Sequence, residues 1–502
     1  MDLLKLQNGT DVRGVAANGI EGEAVNFIPA DANRIAQAFV IWLSGKWNKP
    51  ASALKIGVGH DSRITGELLK EAILKGITAQ GAAAIDCHLS STPSMFMSTV
   101  YEEFRFDGSV MITASHLPFN RNGMKFFDPD AGLEHDDITA ILNIAQGLTE
   151  ADADISSVPD ADLISVYSAH LCEKIRAGAA DAENYSEPLQ GLKIAVDAGN
   201  GAGGFFVEKV LKPLGADTDG SRFLEPDGMF PNHIPNPENK QAMAAIREAV
   251  LSSGADLGII FDTDVDRMSA VLPDGSPINR DAIIAMMAAI LSEEYPGSTV
   301  VTDSVTSDRL QDFLEGHLGM KQLRFRRGYK NVINKCKELN ESGIVSPLAI
   351  ETSGHGALSE NYYLDDGAYM AVKLLISAAK ANKAGKKVAS YVEALKPGFE
   401  EQELRLKISG EDFASYGKEV LAAFEERAAA RGLKIAPNSF EGVRISFDSE
   451  EIRGWLLLRL SLHDPLMPLN LEGGREGDCG RMKAVVAELL EGFDRVDTGL
   501  LA

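Results

Sequence analysis

Along the chain, short and mainly apolar runs rich in β-branched residues alternate with longer stretches whose apolar positions recur at helical spacing. Residues 54–60, 110–113, 192–197, 257–261, 298–302 and 346–350 read as buried strands, whereas 67–80, 163–176 and 281–294 read as helices. Strand, polar turn and helix in succession make the unit of a parallel α/β sheet, which presents ligands at the carboxyl ends of its strands. The rhythm changes towards the C-terminus. There, strand-like runs 442–448 and 455–462 lie between helical stretches 416–431 and 484–491, which predicts an antiparallel sheet. A polar, acidic and poorly patterned tract at 149–160 reads as a linker. The expected organisation is an α/β domain over 1–160, a second over 161–276, a third over 277–388 and a smaller C-terminal α+β unit over 389–502.

Composition narrows the classes. A length of 502 residues implies several cores, and 45% apolar with 7% aromatic residues describes an ordinary soluble globular protein. Forty-nine Lys and Arg against 73 Asp and Glu give a net charge of −24, which argues against nucleic acid or an anionic membrane as a partner. Any phosphate must then be held by basic residues gathered locally. Cys87, Cys172, Cys336 and Cys479 are widely separated and form no CxxC pair, so reduced thiols are expected. With no signal-peptide core, no transit composition and no apolar run long enough for a bilayer, a cytoplasmic enzyme is the expectation; an organelle protein with its transit peptide removed stays open.

Several turns carry candidate chemistry. Ser115 sits where the run 110–113 breaks into a turn-rich loop, with His116 beside it and Lys125 ten residues on. A hydroxyl so flanked can accept and return a phosphoryl group if cations neutralise it, or the loop can simply cap a helix. Arg13 in a Gly-rich opening and Arg63 after the strand 54–60 are placed to reach a phosphate, or to serve as surface ion-pair partners. The Gly-rich turn 198–204 suits a phosphate approach or a tight βα connection. Asp262, Asp264 and Asp266 alternate at the end of the strand 257–261, and such carboxylates repel strongly unless a cation lies among them. Oxygen ligands without His or Cys suit Mg²⁺. An EF-hand is excluded, because its sixth and twelfth positions would hold Arg267 and Pro273. Arg324, Arg326, Arg327 and Lys330 fall within seven residues, and in so acidic a chain they suggest a sugar-phosphate site rather than a nucleic-acid patch. Glu351-Thr-Ser-Gly-His355 places Ser353 and His355 on one side of an extended turn, but it lacks the Gly-x-Ser-x-Gly elbow of a hydrolase.

Together these turns resemble the motifs of the α-D-phosphohexomutases. Thr113-Ala-Ser-His-Leu-Pro118 with Asn122-Gly-Met-Lys125 resembles the active-serine loop, Leu117 standing for the usual Asn. Gly9-Thr-Asp-Val-Arg-Gly14 and Asp61-Ser-Arg63 resemble first-domain pieces that face the phosphoserine, and 230–238 resembles a further family loop. Asp262-Thr-Asp-Val-Asp-Arg267 is similar to the metal loop Asp-Gly-Asp-x-Asp-Arg, with Thr263 for Gly. Gly328, Tyr329 and Lys330 match the Gly-aromatic-Lys turn, and 351–355 the sugar-binding loop. In Arg459-Leu-Ser-Leu-His-Asp-Pro465, Arg459, Ser461 and Pro465 match the phosphate loop while Leu462, His463 and Asp464 depart.

The resemblance implies three topologically similar α/β domains plus a smaller C-terminal α+β domain around a central cleft, the last domain opening and closing on a hinge near 389–400. It implies a phosphoserine at Ser115 and Mg²⁺ on Asp262, Asp264 and Asp266 with the Ser115 oxygen. Lys125 would transfer protons, supported by His116, Arg13, Arg63 and Arg267. Glu351 and Ser353 would hold ring hydroxyls near Gly328–Lys330, and His355 could assist proton transfer. Arg459 and Ser461 would hold phosphate, with His463 supplying a replacement donor. The implied reaction interconverts hexose 1-phosphate and hexose 6-phosphate, of mannose or glucose, through a hexose bisphosphate, in a monomer or homodimer. A phosphoglucosamine mutase, a phosphatase and a non-catalytic sugar-phosphate sensor stay open at this point.

Overall fold

The computed structural model describes residues 2–181, 183–437, 439–461 and 464–502. The chain forms two compact units, one of Met1–Asn279 with Ser353–Val388 and one of Arg280–Thr352 with Ala389–Ala502.

The first unit opens with a six-stranded sheet. At its centre Lys55–His60 pairs parallel with Ala83–Leu89 on one side and Gly108–Ile112 on the other, and Arg121–Phe127 then Asp11–Val15 follow antiparallel. Ile56, Val58, Val110, Ile112, Met124 and Phe126 are buried in one core with apolar residues of the helices Pro29–Trp47, Gly66–Ala79 and His135–Gln146. Helices cover the sheet on both faces, which is why its strands read as near-continuous apolar runs. Gly123 lets strands meet closely: a Cβ there would lie 2.1 Å from the Val12 carbonyl oxygen.

The second sheet repeats the plan. Ile194–Asp197 runs parallel to Leu257–Phe261, and Met268–Val271 and Pro277–Ile278 add antiparallel. On the far side, Asp217 and Arg222 make parallel bridges to the first strand. Both sheets thus carry the order second, first, third, fourth. In the second unit, Lys321–Phe325, Thr299–Asp303 and Leu348–Ile350 again form parallel neighbours in the order second, first, third. The similarity expected of three α/β domains therefore holds at the level of strand order.

The C-terminal sheet is antiparallel, in the order Glu400–Lys407, Leu466–Gly473, Arg453–Arg459, Gly442–Asp448, Lys434–Ile435. The helices Phe413–Ala430 and Asp478–Leu489 contribute Val420, Phe424, Met482 and Val486 to its core. Patterning had marked only two of these strands. Glu400–Lys407 is an edge strand dense in charge, and Leu466–Gly473 is disguised by Pro468 and Asn470. The last long helix also begins six residues earlier than its apolar spacing implies, at Asp478.

The tract 149–160 has little regular structure, yet it is fastened down. The Asn33 amide donates to the Ala151 carbonyl at 2.9 Å and its oxygen accepts the Ala151 N–H at 3.0 Å, while Gln37 donates to Thr149 at 2.9 Å. The Asp86 N–H bonds the Pro159 carbonyl at 2.9 Å, and Ile155 and Val158 pack on the first core. The linker is thus a strap, because its few apolar residues and its backbone polar groups find partners on the first domain. All four cysteines are buried and unlinked. Among the described residues no helix is long and apolar enough to cross a membrane.

Asn33→Ala removes the strap's anchor and leaves buried backbone groups unpaired. The expected result is a loss of about 2–4 kcal/mol in urea unfolding, with new proteolytic cleavage inside 149–160.

Candidate active site

Ser115 stands at the break after the strand Gly108–Ile112, with φ +51°. A non-glycine residue in that region needs support, and the neighbours provide it. The Ser115 N–H donates to Thr113 Oγ1 at 2.9 Å, and the Thr113 hydroxyl donates to Asp61 Oδ2 at 2.6 Å. Asp61 also accepts the Arg63 N–H at 2.9 Å and lies 3.3 Å from Arg63 Nε. Arg63 in turn donates to the carbonyls of Leu117 at 2.6 Å, Pro118 at 2.7 Å, Arg121 at 2.9 Å, and to that of Ser115 itself. Its guanidinium is therefore engaged beneath the serine loop and holds the loop in shape. Burial raises the Asp61 carboxyl and lowers the Arg63 guanidinium from their ordinary values, each opposing the shift of the other.

The acidic loop after Leu257–Phe261 faces this serine. Asp262, Asp264 and Asp266 are all buried, with ligand oxygens within 4.8 Å of one another. Val265, between two of them, has φ +68°, a rare conformation for a β-branched residue, and its carbonyl accepts the Gly367 N–H at 3.1 Å. Gly201 lets the turn 198–204 close on the same loop: a Cβ there would lie 2.6 Å from the Thr263 carbonyl oxygen, and Ala202 N–H bonds that oxygen at 2.8 Å. The Gly-rich turn is therefore a close packing contact, as the tight-connection alternative has it.

Side-chain chemistry converges between the two loops. The Ser115 hydroxyl donates to Asp262 Oδ2 at 3.1 Å and lies 3.3 Å from His116 Nδ1. Lys125 donates to Asp266 Oδ2 at 2.5 Å and to Asp264 Oδ2 at 3.0 Å. Thr92 donates its hydroxyl to Asp264. The Arg267 N–H donates to Asp262 Oδ1 at 3.2 Å and its Nε lies 3.9 Å from Asp262 Oδ2. Arg13 pairs with Asp11 at 2.8 Å. Burial, reinforced by Asp266 and Asp264, pushes the Asp262 pKa well up. Burial would do the same to Asp266, but Lys125, His355 and Arg267 hold it below the usual carboxylate range. Burial and then the charges of Arg267 and Arg13 push His116 down to about 2, towards the neutral imidazole.

Ser353 and His355 belong to the same unit. The His355 ring is bonded to Asp365 and lies 3.8 Å from Asp266. Ser353 Oγ is buried with no hydrogen-bond partner among the described residues, so no Ser–His pair forms and the hydrolase alternative loses its geometry. The other sugar-loop residues lie in the second unit. Glu351 Oε1 accepts the Gly328 N–H at 2.6 Å, and Gly328, at φ +107°, starts the helix Tyr329–Glu341 that carries Tyr329 and Lys330. The basic cluster divides there. Arg327 lies 3.8 Å from Asp303, whereas Arg324 is tied to Gln311 at 2.8 Å and to the Ser307 carbonyl at 2.7 Å. Burial pushes Arg324 down to about 9, so it is part of the packing and not of the turn. Arg459 is 3.6 Å from Glu441, and Ser461 Oγ accepts the Asp464 N–H at 3.1 Å. His463, like Leu462, lies outside the described residues.

Thr92, Asp365 and Glu441 escaped motif reasoning. Thr92 meets a carboxylate 172 positions away, a distance no local pattern reports. Asp365 could have been suspected only as one of two adjacent carboxylates before Gly367.

Known proteins place this arrangement. The chain matches the family models Phosphoglucomutase/phosphomannomutase, alpha/beta/alpha domain I over residues 7–152, domain II over 165–275 and domain III over 279–397. It is 27% identical over 480 residues to the phosphomannomutase/phosphoglucomutase of Pseudomonas putida, covering 95% of this chain and 93% of that protein. The phosphoglucomutase/phosphomannomutase of Thermococcus kodakarensis is 28% identical over 492 residues, covering 97% and 98%. Among solved structures, a phosphoglucomutase/phosphomannomutase family protein from Burkholderia thailandensis superposes with a TM-score of 0.77 at 23% identity, covering 97% of each chain. With a serine loop and an acidic loop meeting on repeated α/β domains, this chain belongs to the phosphoglucomutase/phosphomannomutase group of the α-D-phosphohexomutase family.

Arg63→Lys leaves one ammonium where a guanidinium serves several carbonyls. The expected result is a loss of about 2–4 kcal/mol in stability. Amide exchange should accelerate over 113–121, with little change over the strand Ile194–Asp197.

Proposed function

We propose that this protein is a phosphohexomutase that interconverts hexose 1-phosphate and hexose 6-phosphate, with mannose and glucose as the sugars. The observation that carries the reading is the Ser115 hydroxyl bonded to Asp262, one of three buried carboxylates whose only close ammonium is Lys125 among the described residues. A phosphoryl group on Ser115 would be passed to a hydroxyl of the sugar phosphate, giving a hexose bisphosphate. The other phosphate of that bisphosphate would then return to Ser115. In each transfer the phosphorus–oxygen bond to one partner breaks as the bond to the other forms.

The acidic loop fits Mg²⁺. Asp264 Oδ1 and Asp266 Oδ1 are buried with no hydrogen-bond partner among the described residues, and hard oxygen donors without sulfur or imidazole suit that ion. Asp262, Asp264 and Asp266 would hold it with an oxygen on Ser115, and it would neutralise charge on the transferring phosphoryl group. The remaining work falls to side chains. Lys125, bonded to Asp264 and Asp266, returns a proton to the Ser115 oxygen as the phosphoryl group departs. His355, held by Asp365, is the candidate to take the proton of the attacking hydroxyl. Arg13 and Arg267 supply positive potential, His116 a neutral hydrogen bond, and Arg63 the loop geometry. Glu351 and Ser353 are assigned to ring hydroxyls, and Arg459 with Ser461 to the phosphate that does not react.

The test is turnover of glucose 1-phosphate and mannose 1-phosphate with Mg²⁺ and a trace of hexose bisphosphate. Isomerisation is expected in the wild type, with a fall of at least about 10³-fold in Ser115→Ala and in the chelator-treated protein, the latter restored by Mg²⁺. Release of inorganic phosphate would indicate a phosphatase. Failure to convert either sugar or glucosamine 6-phosphate would leave a binding protein.

A further inference from the structure

The phosphate arginine of the C-terminal domain faces a carboxylate that no motif marks. Glu441, immediately before the strand Gly442–Asp448, spreads its two oxygens over groups from three segments of the second unit. Oε2 accepts the Arg327 N–H at 2.6 Å, while Oε1 accepts the Ser304 hydroxyl at 2.8 Å and lies 3.6 Å from Arg459 Nε. Ser304 and Arg327 come from the third α/β domain, Glu441 and Arg459 from the C-terminal sheet. Burial lowers the Arg459 pKa, the charge of Arg327 lowers it further, and Glu441 opposes both. The Arg327 guanidinium lies 3.8 Å from Asp303 and its charge still bears on Arg459, so the Glu441 carboxylate stands with the Arg459 guanidinium and with the main chain of Arg327. The next amide along, the Gly328 N–H, is taken by Glu351, so successive N–H groups at the start of the helix Tyr329–Glu341 are held by carboxylates of different domains.

We infer that Glu441 is a positioning residue for substrate phosphate. It keeps Arg459 and the 327–328 turn together, so that the phosphate and sugar contacts of the second unit are set before the ligand arrives. The inference rests on the reading of Arg459 as a phosphate-binding group. Without the carboxylate, the Arg327 N–H and the Arg459 guanidinium lose their common partner, the charge of Arg327 on Arg459 is less opposed, and the incoming phosphate must gather the two segments itself. Such a cost falls on binding rather than on phosphoryl transfer, because the groups that Glu441 holds are the Arg327 N–H, the Ser304 hydroxyl and Arg459.

Two variants separate charge from shape. Glu441→Gln can keep both hydrogen bonds, its oxygen accepting from Arg327 N–H and its amide donating to Ser304 Oγ, while the charge is lost. Glu441→Asp keeps the charge on a shorter arm. Steady-state kinetics on glucose 1-phosphate with saturating Mg²⁺ and bisphosphate give KM and kcat, and amide exchange over 326–330 reports the turn directly. In Glu441→Gln we expect KM to rise about tenfold with kcat within about twofold of wild type, and exchange over 326–330 to accelerate. Glu441→Asp should recover a substantial part of the KM. An unchanged KM in the Gln variant, or a fall in kcat alone, overturns the inference. If the wild type turns over no hexose phosphate, the functional reading fails instead; exchange over 326–330 then decides alone, and equal rates in wild type and Glu441→Gln refute the positioning role.

Discussion

The site depends on how three buried carboxylates are neutralised. Two charges 4 Å apart repel by about 4 kcal/mol at an effective dielectric of 20, so Asp262, Asp264 and Asp266 could not share one dry loop without nearby cations. Lys125 reaches two of them, Arg267 lies against the third, and Ser115 and Thr92 donate hydroxyls to the cluster. Each contact joins segments far apart in the chain. Lys125, Ser115 and Thr92 come from the first sheet's domain and the aspartates from the second, so the electrostatic balance that prepares the site also fastens these domains together. A divalent cation would add to that balance at Asp264 Oδ1 and Asp266 Oδ1, which have no hydrogen bond among the described residues.

Around this centre the polypeptide adopts backbone conformations that it would avoid elsewhere. Ser115 and Val265 both have positive φ, one in each of the facing loops. Such strain costs on the order of 1–3 kcal/mol per residue and persists only where neighbours fix it. The Arg63 guanidinium does so for the serine loop, and the Gly367 N–H for the acidic loop. Arg63 thus braces the serine loop through the carbonyls it collects.

Much of this was legible in the residues themselves. Apolar runs located the parallel strands because helices cover both faces of those sheets, and the alternating aspartates marked a loop whose three carboxylates the structure buries together. Where the fold was illegible, the cause is local. Glu400–Lys407 carries its charge at a sheet edge, Pro468 and Asn470 interrupt the pattern of Leu466–Gly473, and the strap 149–160 reads as loose because Asn33, over a hundred residues away, holds it. Thr92, Asp365 and Glu441 gain their importance only from tertiary contacts. Arg324 shows the converse, since it belongs to a basic cluster in sequence but is spent on packing in space.

The most direct test of the account follows one phosphoryl group. Protein incubated with Mg²⁺ and a hexose bisphosphate carrying radiolabelled phosphate is separated from ligand, mapped by peptide digestion, and then chased with unlabelled hexose monophosphate. The account predicts label on Ser115 that leaves with the sugar as bisphosphate. Label that never reaches Ser115, or that leaves it only as inorganic phosphate, would contradict the central claim.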